Sequence, residues 1–302
     1  MRKWLRTKKI KRKISSRRKI IKQFATETGA NRLTCNHMER FKSSKTLCVL
    51  ASGKSINDIT PSQWDFIKSN DSISLNNTIL HPFVPTYLFY ETDSDQERHR
   101  QLNELKFSNL FKRANEFKDV PIIWHYQEKR YFDINGLKDN NLFKNSYFQT
   151  SYSLPGDTNA DFLASLNYAR KEKLINNIDV GLYRRGSLAR ILHFAVALGY
   201  EEIIFFGADL TGADYFFDVY NKSELPSGCI NPNLKEYTYN SSDGLKKQGS
   251  VHMTVDKSVH PVTMIDVIEQ INNAWLEPKD ISLKVAHSTS ALTSIIQTKE
   301  WS

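Results

Sequence analysis

The heptapeptide Ile203-Ile204-Phe205-Phe206-Gly207-Ala208-Asp209 constrains this chain more than any other stretch. Four consecutive apolar residues need cover on both faces, which a strand inside a parallel α/β sheet receives and a half-exposed antiparallel strand does not. A run of helical type precedes them, and glycine and aspartate end them, so the strand's carboxyl end opens into a loop. Loops at that end of an open α/β sheet are where ligand sites gather.

The rest of the chain alternates in the same sense. Short apolar or β-branched runs at residues 46–51, 72–75, 86–90, 120–124 and 281–285 predict strands. Residues 61–68, 94–117, 159–175, 188–198 and 262–275 predict helices, the first opened by Pro61 and the fourth closed by Gly199. This alternation predicts an α/β fold, a Rossmann-like mainly parallel sheet with helices on both faces. Residues 125–157, aromatic and rich in Asn, show no clear period. A linker is expected over residues 27–45, one folded domain over 46–302, and within it a lid over the long aperiodic segment 210–250.

The net charge of +9 is local. Residues 1–26 hold twelve Lys and Arg and no acid, which leaves the remainder mildly acidic. Ile10, Ile14, Ile21 and Phe24 fall near one face of a helix through this tail, with cations elsewhere, so an interfacial helix on an anionic membrane is expected and a nucleic-acid partner is not. At about 1 kcal/mol per Lys or Arg near an anionic leaflet, even half of the cations suffice for peripheral attachment. No apolar run reaches the ~20 residues of a spanning helix, and the amino end lacks the pattern of a signal peptide. Cys35, Cys48 and Cys229 are odd in number and contain no CxxC, which fits a reducing cytoplasm and suggests neither a disulfide framework nor a zinc site.

Three motifs bear on chemistry. Gly53-Lys54-Ser55 follows a strand, but Cys48 stands where a phosphate loop needs its first glycine, and Asp58 and Pro61 interrupt the required helix. Arg184, Arg185, Gly186 and Ser187 sit at the start of the apolar helix that feeds the central strand, where backbone N–H groups and the helix dipole favour an anion. Asp93-Ser94-Asp95 is a DxD beyond a strand, the pattern by which many glycosyltransferases hold a divalent cation on a sugar nucleotide.

Residues 184–218, RRGSLARILHFAVALGYEEIIFFGADLTGADYFFD, resemble the corresponding block of the bacterial lipooligosaccharide sialyltransferases, glycosyltransferase family 42. In that family Arg-x-x-Ser precedes a helix ending Ala-Leu-Gly-Tyr, followed by a strand ending Gly-x-Asp and by Tyr-x-Phe-Asp. Residues 50–56, Leu-Ala-Ser-Gly-Lys-Ser-Ile, stand where the family has a Gly-Asn-Gly-Pro-Ser-Leu loop, and Asn76 falls on its asparagine after the second strand. Two positions depart from the pattern: Thr211 replaces a phosphate-binding tyrosine, and Glu91 replaces an asparagine after the third strand.

The resemblance covers roughly residues 46–292 and implies an inverting, metal-independent transferase. It would move a 2-keto acid sugar (sialic acid, Kdo or a related nonulosonate) from its CMP form to a lipopolysaccharide, lipooligosaccharide or capsule acceptor. The CMP-sugar is then a substrate, and no cofactor is implied. Carried over by position, Ala51, Ser52, Gly53, Ser55, Asn76, Glu91, Arg185, Gly186, Ser187, Gly207, Asp209 and Thr211 would surround the donor. Arg184, Tyr215 and His252 would carry the chemistry: charge and a phenol on the departing phosphate, a base on the acceptor hydroxyl. Asp256 and His260 remain alternatives to His252 as the base. A location on the inner face of the inner membrane follows, with a homo-oligomer left open. Competing readings are a metal-dependent UDP-sugar transferase using Asp93 and Asp95, an ATP-dependent pyrophosphokinase-like enzyme, and a non-catalytic membrane scaffold.

Overall fold

A computed structural model of the chain describes residues 2–93, 97–128, 130–212, 214–220, 223–232, 253–258 and 260–301. Its strands are β1 (Asn31–Arg32), β2 (Thr46–Leu50), β3 (Asp71–Leu75), β4 (Tyr87–Tyr90), β5 (Ile122–His125), β6 (Ser146–Ser153), β7 (Val180–Tyr183), β8 (Glu202–Phe206), β9 (Ser282–Val285) and β10 (Gln297–Thr298). The helices are α1 (Arg2–Thr28), α2 (Cys35–Glu39), α3 (Pro61–Lys68), α4 (Glu97–Lys112), α5 (Ala114–Phe117), α6 (Ile134–Asp139), α7 (Asn159–Lys171), α8 (Leu188–Ala197) and α9 (Met264–Ile271). All strand pairings are parallel, in the order β1-β6-β5-β4-β3-β2-β8-β9-β10, with β7 paired to the second half of β6. This is the expected α/β architecture.

Both faces of the central strands are covered, and the side-chain period of two divides their residues between two cores. Leu47, Val49, Ile203 and Phe205 enter one core; Cys48, Leu50, Ile204 and Phe206 enter the other. The chain runs outward from β2 through β3, β4, β5 and β6, then returns to place β8 on the other side of β2. That reversal opens a crevice at the carboxyl ends of β2 and β8.

Two expectations are corrected, and a third falls largely outside the described residues. The apolar face of the basic tail is not available to a membrane: Ile10, Ile14 and Ile21 are at most 2% exposed, and Phe24 stacks on Tyr126 at 4.0 Å between ring centroids. α1 lies along β6, β1 and β7 and covers the sheet's edge, with Lys11 paired to Glu172 at 2.6 Å and Arg18 to Asp179 at 3.4 Å. Residues 27–45 are not a linker, since they contain β1 and α2 and bury Leu33 and Met38 completely. In the expected lid, residues 216–219 and 226–228 form 3₁₀ turns, and Phe216, Phe217, Leu225 and Cys229 belong to the core; residues 233–250 lie outside the described residues.

Among the described residues no helix is long and apolar enough to cross a membrane. The three cysteines are free.

Candidate active site

The loop after β2 is fastened to the loop after β8. Ala51 N–H donates to the Phe206 carbonyl and Gly53 N–H to the Gly207 carbonyl, each at 2.8 Å. A Cβ on Gly53 would collide with that carbonyl and with the Asp209 carboxylate, so only glycine allows this approach. Asp209 is the clasp: its carboxylate accepts from Ser55 N at 2.9 Å and from the Ser55 hydroxyl, and its carbonyl accepts from Ala291 N at 2.8 Å. Both residues therefore build the wall rather than reach into it. Tyr215 bridges to Gly53 and stacks on Phe217. Burial, with Asp218 nearby, raises its phenol further above neutral pH, so the hydroxyl stays a donor.

The opposite wall is the start of α8. Arg185 (φ 60°) and Gly186 (φ 142°) turn the chain, and Ser187 occupies the N-cap position without making a side-chain capping bond. Arg190 N–H donates to the Ser187 carbonyl at 3.0 Å, so the Leu188 and Ala189 N–H groups are the ones left without a side-chain cap beside Arg185, whose Nε donates to the Val262 carbonyl at 2.8 Å. Arg184 is turned elsewhere, onto the carbonyls of Leu154 and Gly156, and does not line the cavity.

Between these walls lies a cavity of about 240 Å³. Its lining includes Ala51, Ser52, Gly53, Asn76, Arg185, Gly186, Ser187, Gly207, Asp209 and Tyr215, gathered from segments more than 150 residues apart. Among the described residues, three of the seven non-glycine residues at positive φ, Asn76, Arg185 and Leu210, also line it, a concentration of backbone strain typical of binding sites. Thr211 is exposed between Leu210 and Gly212, which do line it, and Thr254 and Met264 close the side facing α9. A larger surface hollow of about 640 Å³ sits at the far end of α8, beside Arg170, Lys171 and Trp275, and collects none of the expected residues.

Beneath the floor is a buried charged cluster that sequence reasoning missed, apart from Glu91. Asn76 Oδ1 accepts from Glu91 N at 2.8 Å, and Ser187 Oγ donates to Glu91 Oε2 at 2.7 Å. The other carboxylate oxygen is paired with the fully buried Arg190 and lies 3.2 Å from His125 Nδ1. Arg190 stacks over the rings of Phe89 and Tyr183 at 4.7 and 5.4 Å. Burial, aided by Arg130 and Arg17, holds His125 well below its usual range and therefore neutral. The one available signal was a cation at the third position of a helix apolar but for His193.

His252 and Asp95 are outside the described residues. The Asp256 carboxylate accepts from Ser258 N and Oγ at 2.8 and 2.6 Å, and His260 N donates to the Asp256 carbonyl at 2.9 Å, three residues before the N-cap Thr263. Asp93 is paired with Lys106 at 2.7 Å; burial alone would raise its carboxyl, but Lys106 together with Arg130 and His99 outweighs it and the net shift is downward. No group of three or more metal-ligating side chains occurs among the described residues. No protein-family model matches the chain, and no curated protein matches it.

Proposed function

We propose that this chain is an inverting glycosyltransferase that moves a 2-keto acid sugar from its CMP form to a hydroxyl of a bacterial surface glycan. One observation carries the reading: ten residues picked out by a sequence resemblance from five separate loops and helix ends line one cavity at the sheet's topological switch. The uncapped start of α8, the Arg185 guanidinium and the Tyr215 hydroxyl supply fixed positive charge and donors to a departing phosphate. The acceptor hydroxyl gives its proton to a base as its oxygen bonds to the anomeric carbon and CMP leaves with the bonding pair. His252 is the base proposed for this step, with Asp256 and His260 as the alternatives, and an imidazole of ordinary pKa suits it near pH 7.

α1 fits the same proposal with a changed role. Its apolar stripe is spent on the sheet, so attachment to an anionic membrane rests on exposed cations such as Lys9, Arg12, Lys13 and Lys19. The enzyme would then sit on the inner face of the membrane, where lipid-linked acceptors are reached.

The deciding experiment is a thermal-shift panel of CMP, CTP, UDP, ADP and GDP, each with and without magnesium. At a hundred times its dissociation constant a ligand stabilises by about 2.7 kcal/mol, enough to read. Stabilisation by cytidine nucleotides without magnesium is expected. Stabilisation by UDP or ATP-type nucleotides only with magnesium would overturn the reading in favour of a metal-dependent enzyme.

A further inference from the structure

We infer that Ser187 is a one-way reader of the ligand: Glu91 holds its hydroxyl proton, so this wall of the cavity accepts a hydrogen bond from a ligand hydroxyl or N–H and cannot give one. The inference rests on the cavity being the donor site proposed above, and it names the chemical group that must face α8.

Serine at an N-cap ordinarily turns its oxygen to an N–H of the first turn. Ser187 makes no such bond; its Oγ lies 2.7 Å from Glu91 Oε2. An ionised carboxylate only accepts, so the hydroxyl hydrogen lies on that line. Glu91 carries its charge as the partner of a buried cation. Arg190, fully buried, needs a counter-charge, and Glu91 is the carboxylate paired with it. His125 Nε2 faces Ser151 Oγ at 2.7 Å and the Gln127 amide nitrogen at 3.2 Å. An amide nitrogen can only donate, which makes Nε2 the lone-pair nitrogen and leaves the ring proton on Nδ1, 3.2 Å from Glu91 Oε1 without completing a hydrogen bond to it. The cluster is neutral overall, with one carboxylate, one guanidinium and a neutral imidazole.

Two consequences follow for a bound sugar nucleotide. With its proton committed, the Ser187 oxygen turns lone pairs to the cavity and selects a sugar or ribose hydroxyl, or an acylamino N–H. An anionic group, phosphate or carboxylate, is turned away from Ser187 and toward the uncapped amides of α8 and Arg185. Glu91 and Arg190 are positioning residues in this scheme, acting through Ser187.

Neutron diffraction from deuterium-exchanged crystals of the full chain tests the premise without a ligand. A deuteron between Ser187 Oγ and Glu91 Oε2 is expected; one pointing into the cavity overturns the inference. Calorimetric titration of CMP and CMP-N-acetylneuraminate tests the consequence. Ser187→Ala should weaken the tighter ligand about tenfold, Ser187→Thr should restore it to within about threefold, and equal binding by all three proteins overturns the inference. Glu91→Gln by itself strands the buried guanidinium, so it is paired with Arg190→Met; the double variant, folded by circular dichroism, should lose affinity several-fold through the freed hydroxyl. If neither nucleotide binds the wild type, the CMP-sugar reading fails and the deuteron position still decides the inference.

Discussion

At the scale of single residues, the site depends on atoms that touch no ligand. Gly53 lets two loops meet, and Gly53→Ala should cost about 1–3 kcal/mol by overpacking and remove the CMP-induced thermal shift, read by urea unfolding and by melting. Buried histidines supply a second residue-scale effect. Leu182 N–H donates to His193 Nδ1 at 3.0 Å and Nε2 faces the Ile175 carbonyl at 2.7 Å, which fixes a neutral ring. Burial lowers His193 to about 4 despite the Ile175 carbonyl, and burial with Arg113 nearby lowers His81 to about 4 as well. The unfolded chain titrates near 6.5, so below that pH it takes up protons that the fold refuses. Stability from these rings is complete above about pH 6.5 and is lost as pH falls toward 4, by roughly 2 kcal/mol per histidine at pH 5. Urea unfolding at pH 7.5 and pH 5 should show this loss, and His193→Gln should remove about one histidine's share of it.

At the scale of elements, α1 and β6 carry the lesson. A charged helix with a thin apolar stripe reads equally well as a membrane-surface helix or as a sheet-edge cover, and only the partner surface decides. Ile21 has no exposure, so Ile21→Ala should destabilise by about 2–4 kcal/mol, whereas a free interfacial tail would tolerate it without change. Denaturant titration of that variant separates the two. β6 reads Ser-Tyr-Phe-Gln-Thr-Ser-Tyr-Ser, too polar to announce a strand, yet seven of its eight residues are buried. Several of its polar groups find partners at long range: Ser146 Oγ accepts from Trp124 Nε1 at 3.0 Å, and Gln149 donates to the Ile178 carbonyl at 2.7 Å. Hydropathy cannot register such satisfaction, because the partners are distant in the chain.

For the whole molecule, the charge distribution sets the expected behaviour on a surface. The exposed cations of α1 lie on the outer side of a helix anchored by its apolar side, so binding to anionic vesicles should be electrostatic and shallow. Cosedimentation with phosphatidylserine vesicles should fall steeply between 0.05 and 0.5 M salt, since the Debye length shrinks from about 14 to about 4 Å. Charge reversal at Lys9, Arg12, Lys13 and Lys19 together should abolish it without changing the melting temperature by more than a few degrees. Salt-resistant binding would mean that the helix leaves the sheet to insert.

The central strands were legible in the sequence alone. Uninterrupted apolar strands such as Ile203-Ile204-Phe205-Phe206 have no stable place except between two covered faces, and small or polar residues at their carboxyl ends mark where backbone can approach a ligand. It also picked out most of the cavity wall, because glycines and a helix start are local features. The direction of each polar side chain is set instead by contacts between segments far apart in the chain. Arg184 and Arg185 are neighbours in sequence and part company in space; Asp209 clasps a loop; Glu91 is held against Arg190 and His125 from two other elements. Hydrogen bonds and ion pairs between distant segments have no period in the chain, so they become visible only when the sheet brings their partners together.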